Sequence, residues 1–157
     1  METPGTVRAI FIAPDAGGVM NVVERVRAVP GRGLEGDRYF YQRGSFSRWP
    51  GPHREVTLIA SEALVEMEAE TGIALPPDQS RRNILTVGID VNQLLHQAFD
   101  VGPVTMRGMR LCQPCKYLAR LTDLSDLVPA MLNRGGLRAR ILSEGIVSAG
   151  DRIVPVT

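Results

Sequence analysis

The stretch FDVGPVTMRGMRL, residues 99–111, decides the fold. Apolar and polar side chains alternate along it with a period of two, the pattern of a strand that buries one face. Gly102 and Gly108 interrupt the alternation. Each is a turn or a bulge, so the stretch reads as two short strands or as one long bent strand. Both readings make sheet.

The same period recurs outward in both directions. In GTVRAIFIAP (5–14), Val7, Ala9 and Phe11 are expected on one face and Arg8, Ile10 and Ile12 on the other. VVERVRAV (22–29) is rich in β-branched residues and runs into the turn PGRG. REVTLI (54–59) and DRIVPV (151–156) are further strands. LRARIL (137–142) sets Leu137, Ala139 and Ile141 against Arg138 and Arg140. A mainly β body follows, with some α content (α+β). Helical patterns are few. SEALVEMEAETG (61–72) offers Ser61 as N-cap, an apolar stripe of Leu64, Val65 and Met67, and Gly72 as stop. DVNQLLHQ (90–97) spaces Asp90 and Gln93 as in a capping box. DLSDLVPAMLNRGG (123–136) is expected to be helical toward Met131, with Pro129 limiting its start.

No linker or low-complexity segment divides the 157 residues, and one domain over 1–157 is expected. No run reaches the roughly 18 apolar residues of a membrane span. The N-terminus METPGTVRAIF has an early acid and too short an apolar run for a secretory signal, so the cytoplasm is the expected compartment. A net charge of +1 gives no global case for nucleic acid or membrane. Lys116 is the only lysine, and every other cationic side chain is arginine. That skew reflects either an anionic ligand, which the guanidinium fork suits, or codon usage.

The only two cysteines, Cys112 and Cys115, lie in RLCQPCKYL (110–118). Structural zinc needs four ligands, and His53 and His96 have no ligand spacing. A thioredoxin-like pair needs a βαβ setting that is missing around them. A third reading has one cysteine present a thiolate. With Pro114 opening a short helix, Cys115 falls in its first turn, where free N–H groups and Lys116 lower the thiol pKa. The plain reading is two small buried hydrophobes.

In chain order, GLEGDR (33–38), SRRNILTVGIDVNQLLHQAFDVGPV (80–104), LCQPCKYL (111–118), RGGLRARIL (134–142) and GIVSAGDRI (145–153) resemble the MOSC domain, the module named after the C-terminal part of molybdenum-cofactor sulfurases. The resemblance runs over about residues 20 to 154. It implies a β-barrel-like fold with a few short peripheral helices. It also implies the molybdenum cofactor (molybdopterin) as ligand, with Cys115 as the matching metal-binding and catalytic thiolate. Well-studied members reduce N-hydroxylated compounds with electrons from partner proteins; others act in sulfuration of the cofactor. A small-molecule substrate and a separate electron-donor protein are therefore expected, since no residues here supply a donor domain.

A phosphate-bearing cofactor needs arginine forks and backbone N–H groups. GDR supplies Gly36, Asp37 and Arg38, and SRRN supplies Arg81, Arg82 and Asn83, with Arg82 expected to be the inward one. Arg134, ahead of Gly135 and Gly136, is a further candidate. Each has a plainer reading: a salt bridge fixing a turn for Asp37 and Arg38, a solvated side chain for one of the two arginines, a helix cap for the glycines. Phe46 and Trp49 either line a pocket mouth or pin a loop, and His53 reads as a hydrogen-bonded histidine. Cys112 is either a disulfide partner for Cys115 or inert packing. The rival functions are a non-catalytic carrier of cofactor or sulfur and a thiol–disulfide protein.

Overall fold

The computed structural model describes residues 4–15, 18–38, 40, 55–112 and 134–156. Their elements run β1 (Gly5–Ile12), β2 (Asn21–Val23), β3 (Arg25–Val29), β4 (Gly33–Leu34), β5 (Val56–Ala60), α1 (Ser61–Thr71), β6 (Ile84–Val87), β7 (Ala98–Val101), β8 (Val104–Leu111), β9 (Leu137–Ile141), β10 (Gly145–Ser148) and β11 (Arg152–Pro155). Short 3-10 turns lie at Pro77–Ser80 and Val91–Leu94. The expected helix toward Met131 falls outside the described residues, as do Phe46, Trp49, His53 and Pro129.

The stretch 99–111 makes two strands. β7 and β8 pair antiparallel from Val101↔Val104 at the turn to Ala98↔Arg107. Gly102 is the turn. Gly108 marks the bulge, where the register of β8 against β9 shifts before Arg110. From this hairpin the order β11-β7-β8-β9-β5-β6-β1 closes on itself, because β1 pairs back onto β11 at Gly5↔Ile153 and Thr6↔Arg152. The result is a closed seven-stranded barrel.

An odd ring cannot alternate strand direction all the way round, so at least one neighbouring pair must be parallel. Here it is β5 and β6, with Leu58 opposite Ile84. A parallel pair needs a long crossover connection, and that crossover holds α1. The barrel interior is filled by Ile10, Leu58, Phe99, Met106 and Leu137, among others. A second cluster lies under the helix, where Leu64 and Met67 cover Phe11, Ile59 and Leu85. β10, β3 and β4 form a small second sheet whose Val147, Val26, Ala28 and Leu34 join the barrel core.

Three local expectations are corrected. The pairing of β1 with β6 shifts register between Val7 and Ala9, so Val7 shares the interior with Ile10 while Ala9 and Phe11 face the helix. A bend at Glu24 divides VVERVRAV, sending β2 to β1 and β3 to β10. In α1 the cap is Ala60 and Ser61 is the first helical residue, while Val65 points outward at 68% exposure. Gly72 does end the helix, donating its N–H to the Glu68 carbonyl. Asp90 caps the 3-10 turn by accepting from Asn92 N–H at 3.0 Å.

Glu55, just ahead of β5, is buried at 4% exposure. Its Oε1 accepts from Gly31 N–H at 3.0 Å and from Ile141 N–H at 3.1 Å, tying the small sheet's turn to β9. Burial raises its pKa above the ordinary 4.5, against the opposing pull of the two N–H groups and of Arg140. The folded state therefore holds this proton more tightly than the unfolded state does. Its contribution to stability is full below the unfolded pKa and is lost as pH rises through the folded value. Urea unfolding across pH should show the wild type losing stability upward from the ordinary carboxyl pKa. Glu55→Gln, which keeps the acceptor and removes the charge, should flatten that slope. Superimposable pH profiles would reject the assignment.

Candidate functional site

The candidate residues sit where the chain enters β6, leaves β8 and enters β9. The segment Gly36–Arg38 lies against the end of β1. Asp37 is fully buried and its Oδ1 accepts from Ala13 N–H at 3.0 Å and from Arg38 Nη1 at 3.1 Å. Arg38, 5% exposed, also points Nη1 at the Met20 sulfur and donates from Nη2 to the Arg81 carbonyl at 3.0 Å. A part-buried, charge-assisted hydrogen bond thus joins GDR to SRRN across 43 residues of sequence. Asp37 and Arg38 form the ion pair that the plainer reading described, and the pair also spans two segments.

Within SRRN the three side chains go three ways. Arg81 takes a left-handed backbone, φ 65°, at the end of the 3-10 turn, and its guanidinium donates to the Gly18 carbonyl. Asn83 is fully buried between β1 and β5: its Nδ2 donates to the Phe11 carbonyl, and its Oδ1 accepts from both N–H and hydroxyl of Thr57. Arg82 is 9% exposed and donates from Nε to the Gly135 carbonyl at 2.7 Å. Among the described residues neither terminal nitrogen of Arg82 has an acceptor. A nearly buried guanidinium with its outer fork open is set up to take an oxyanion.

Gly135 and Gly136 hold this region together, more than a helix cap would require. Cys112, the residue after β8, donates its N–H to the Gly136 carbonyl at 2.8 Å. A Cβ on Gly135 would stand 2.0 Å from the Cys112 carbonyl oxygen. The Arg82 fork therefore sits beside the start of the cysteine segment. Cys112 itself is a free, buried thiol at 2% exposure. Cys115 and Lys116 lie outside the described residues.

Arg134 departs from the group. Its Nη2 contacts Glu70 and lies 3.6 Å from Glu66, both on α1. It lines a cavity of about 720 Å³ between α1 and the turn at Gly88–Asn92, along with Glu62, Asp90 and Gly136. Neither Arg82 nor Cys112 lines that cavity. Among the described residues no three His, Cys, Asp or Glu side chains are grouped to hold a metal. Sequence reasoning missed the Gly135 carbonyl as the anchor of Arg82; the only signal was the adjacent glycine pair.

The profile of the family described as MOSC domain matches residues 47–154, more than half of the chain. The chain belongs to the MOSC family. MOSC domains are generally linked to molybdenum-cofactor chemistry. The MOSC fold assigned here is similar to that of the solved YUAD protein from Bacillus subtilis, at TM-score 0.81 and 17% identity, covering 96% of this chain and 94% of that one. It is also similar to YiiM from Geobacillus stearothermophilus, at TM-score 0.75 and 20% identity over 98% of this chain and 76% of the other. YiiM from Escherichia coli follows at TM-score 0.69 and 22% identity, over 100% and 70%. At these identities the likeness carries the MOSC fold and nothing finer. No curated protein sequence matches the chain significantly. No helix among the described residues is long and apolar enough to cross a membrane.

Proposed function

We propose that this MOSC domain binds the molybdenum cofactor and serves as an oxidoreductase of small molecules in the cytoplasm. The observation that carries the reading is the open fork of Arg82: a guanidinium almost removed from water, anchored through Nε, beside the segment that leads to Cys115. The residues present fit the group, since a buried arginine with free donors answers the cofactor's phosphate and a thiolate answers a soft redox metal.

In this reading Arg82 grips the phosphate and Cys115 supplies the thiolate ligand. Asp37 and Arg38 fix the loop at Gly36 against β1, holding Arg81 and hence Arg82 in place. Asn83 clamps the entry of β6 to β1 and β5. Arg134 helps to seat the approach to Gly135 through its contacts with α1. The bound cofactor supplies a metal that changes oxidation state by two electrons. The most concrete reaction is reduction of an N–OH group, which takes two electrons and two protons and yields N–H and water. A separate donor protein provides the electrons.

The test is molybdenum and pterin per chain after anaerobic purification from a host that makes the cofactor. Wild type and Cys112→Ser are expected to carry near-stoichiometric metal. Cys115→Ser should lose the metal, and Arg82→Gln should lower pterin occupancy at least about tenfold, in line with loss of a charged bidentate contact. Absence of metal from every variant would overturn the reading and favour a carrier of sulfur, detectable as a persulfide by mass spectrometry.

A further inference from the structure

Alternation along β8 should place Arg107 and Arg110, three residues apart, on opposite faces. The bulge between Gly108 and Arg110 cancels that, and both side chains emerge on the outer face of the barrel. There Arg107 lies directly opposite Arg140 of β9, and Arg110 directly opposite Arg138. Like charges in directly opposed ladder positions destabilise a sheet. The bulge builds two such pairs side by side. It is held by tight packing, since a Cβ on Gly108 would lie 2.1 Å from the Leu94 carbonyl oxygen.

Among the described residues little offsets the Arg107–Arg140 pair. Arg107, Arg110 and Arg140 are exposed, and no described ion pair or hydrogen bond reaches their side chains. Arg140 also acts on the buried Glu55, whose carboxyl it pulls down against the effect of burial. The face borders the candidate site, because β8 runs from Arg107 through Arg110 directly into Cys112. At roughly 3.3 Å per residue the ladder ends within about 17 Å of that thiol.

We propose that the outer face of β8 and β9 is a docking surface for an acidic protein, seated on the exposed Arg107, Arg110 and Arg140. Charge distribution favours a compact acidic patch over a nucleic-acid strand. The helix over the neighbouring β5 and β6 exposes Glu62, Glu66, Glu68 and Glu70, which repel a polyanion long enough to run past the arginines. The overall charge of +1 likewise gives no extended basic track. The proposal stands apart from the cofactor reading, and its test needs no bound cofactor.

The probe is a fluorescent peptide of about four glutamates, short enough to stay on the arginines, with a tetralysine peptide and a single-stranded oligonucleotide of about ten nucleotides as comparisons. Fluorescence anisotropy should show the glutamate peptide binding at low salt and weakening steeply toward physiological ionic strength. The double variant Arg107→Gln, Arg140→Gln should weaken it at least about tenfold, the loss of two contacts at an effective dielectric between surface and interior. Arg152→Gln, on an exposed position of β11, should leave it unchanged. The ladder variant should also unfold at equal or higher urea, because repulsion is relieved. Equal binding by wild type and ladder variant overturns the proposal, as does no binding at low salt. Tighter capture of the oligonucleotide through the same arginines replaces it with a nucleic-acid face.

Discussion

Gly136→Ala is expected to destabilise the protein by about 3–5 kcal/mol, combining strain at a left-handed position with overpacking. Gly136 has φ 97°, and a Cβ there would stand 2.1 Å from the Leu58 carbonyl oxygen and 3.3 Å from the Ile59 Cβ. The obstacle is the backbone of β5, which cannot rotate aside. The residue's own carbonyl accepts from Cys112 N–H, so any retreat of Gly136 pulls on the end of β8. Against a typical total of about 5–15 kcal/mol, this is a large share of the stability. Gly72→Ala is the control: φ is 76° there too, but nothing lies within 4 Å of the added methyl. It should cost only about 1 kcal/mol, the backbone part alone. Urea midpoints at constant m distinguish the two. Similar losses at both positions would show that the close approach to β5 is not what Gly136 provides.

Asp37→Ala is expected to cost a similar amount, about 3–5 kcal/mol, for an electrostatic reason. Removing one member of a buried ion pair leaves the other charge in a poor solvent. Arg38 is 5% exposed and its nearest described carboxylate is Asp37 at 3.1 Å. The same change orphans Ala13 N–H. Asp37→Asn restores an acceptor for that N–H and should recover part of the loss. The double variant Asp37→Ala, Arg38→Met should be more stable than Asp37→Ala alone, because it removes a buried charge that has lost its Asp37 carboxylate. A double-mutant cycle in urea measures this coupling directly. Additive losses would mean that the two side chains do not act as a pair.

Legibility in the sequence followed the range of the interactions. LRARIL showed which side of β9 faces the core, because burial there depends on one face of one strand: Leu137, Ala139 and Ile141 are buried, as alternation requires. The hairpin at Gly102 and the helix stop at Gly72 were legible for the same reason, each being settled within a few residues. In β1 alternation misled, since its bulge depends on the register against β6, more than 70 residues on. Barrel closure was beyond local reading as well, and it entered only through resemblance to the MOSC family. For the site, the arginines and glycines were visible as types but their partners were not. Nothing near Arg82 in sequence indicates that its anchor is a carbonyl 53 residues away. Nor does SRRN itself show that Asn83 clasps two strands while Arg82 keeps an open fork.

The seam of the barrel has a consequence for how the chain assembles. β1 and β11 are the first and last strands described; Gly5 pairs with Ile153 and Thr6 with Arg152, and Val7 bonds the turn that leads into β11. Contacts so distant in sequence are the most costly in chain entropy and therefore form late. During synthesis every other strand of the ring is available before β11 leaves the ribosome. Without β11 the edges of β1 and β7 that it joins have no partner along the gap. An unpaired strand edge is a template for pairing with another chain, and β11 is the strand that removes it here.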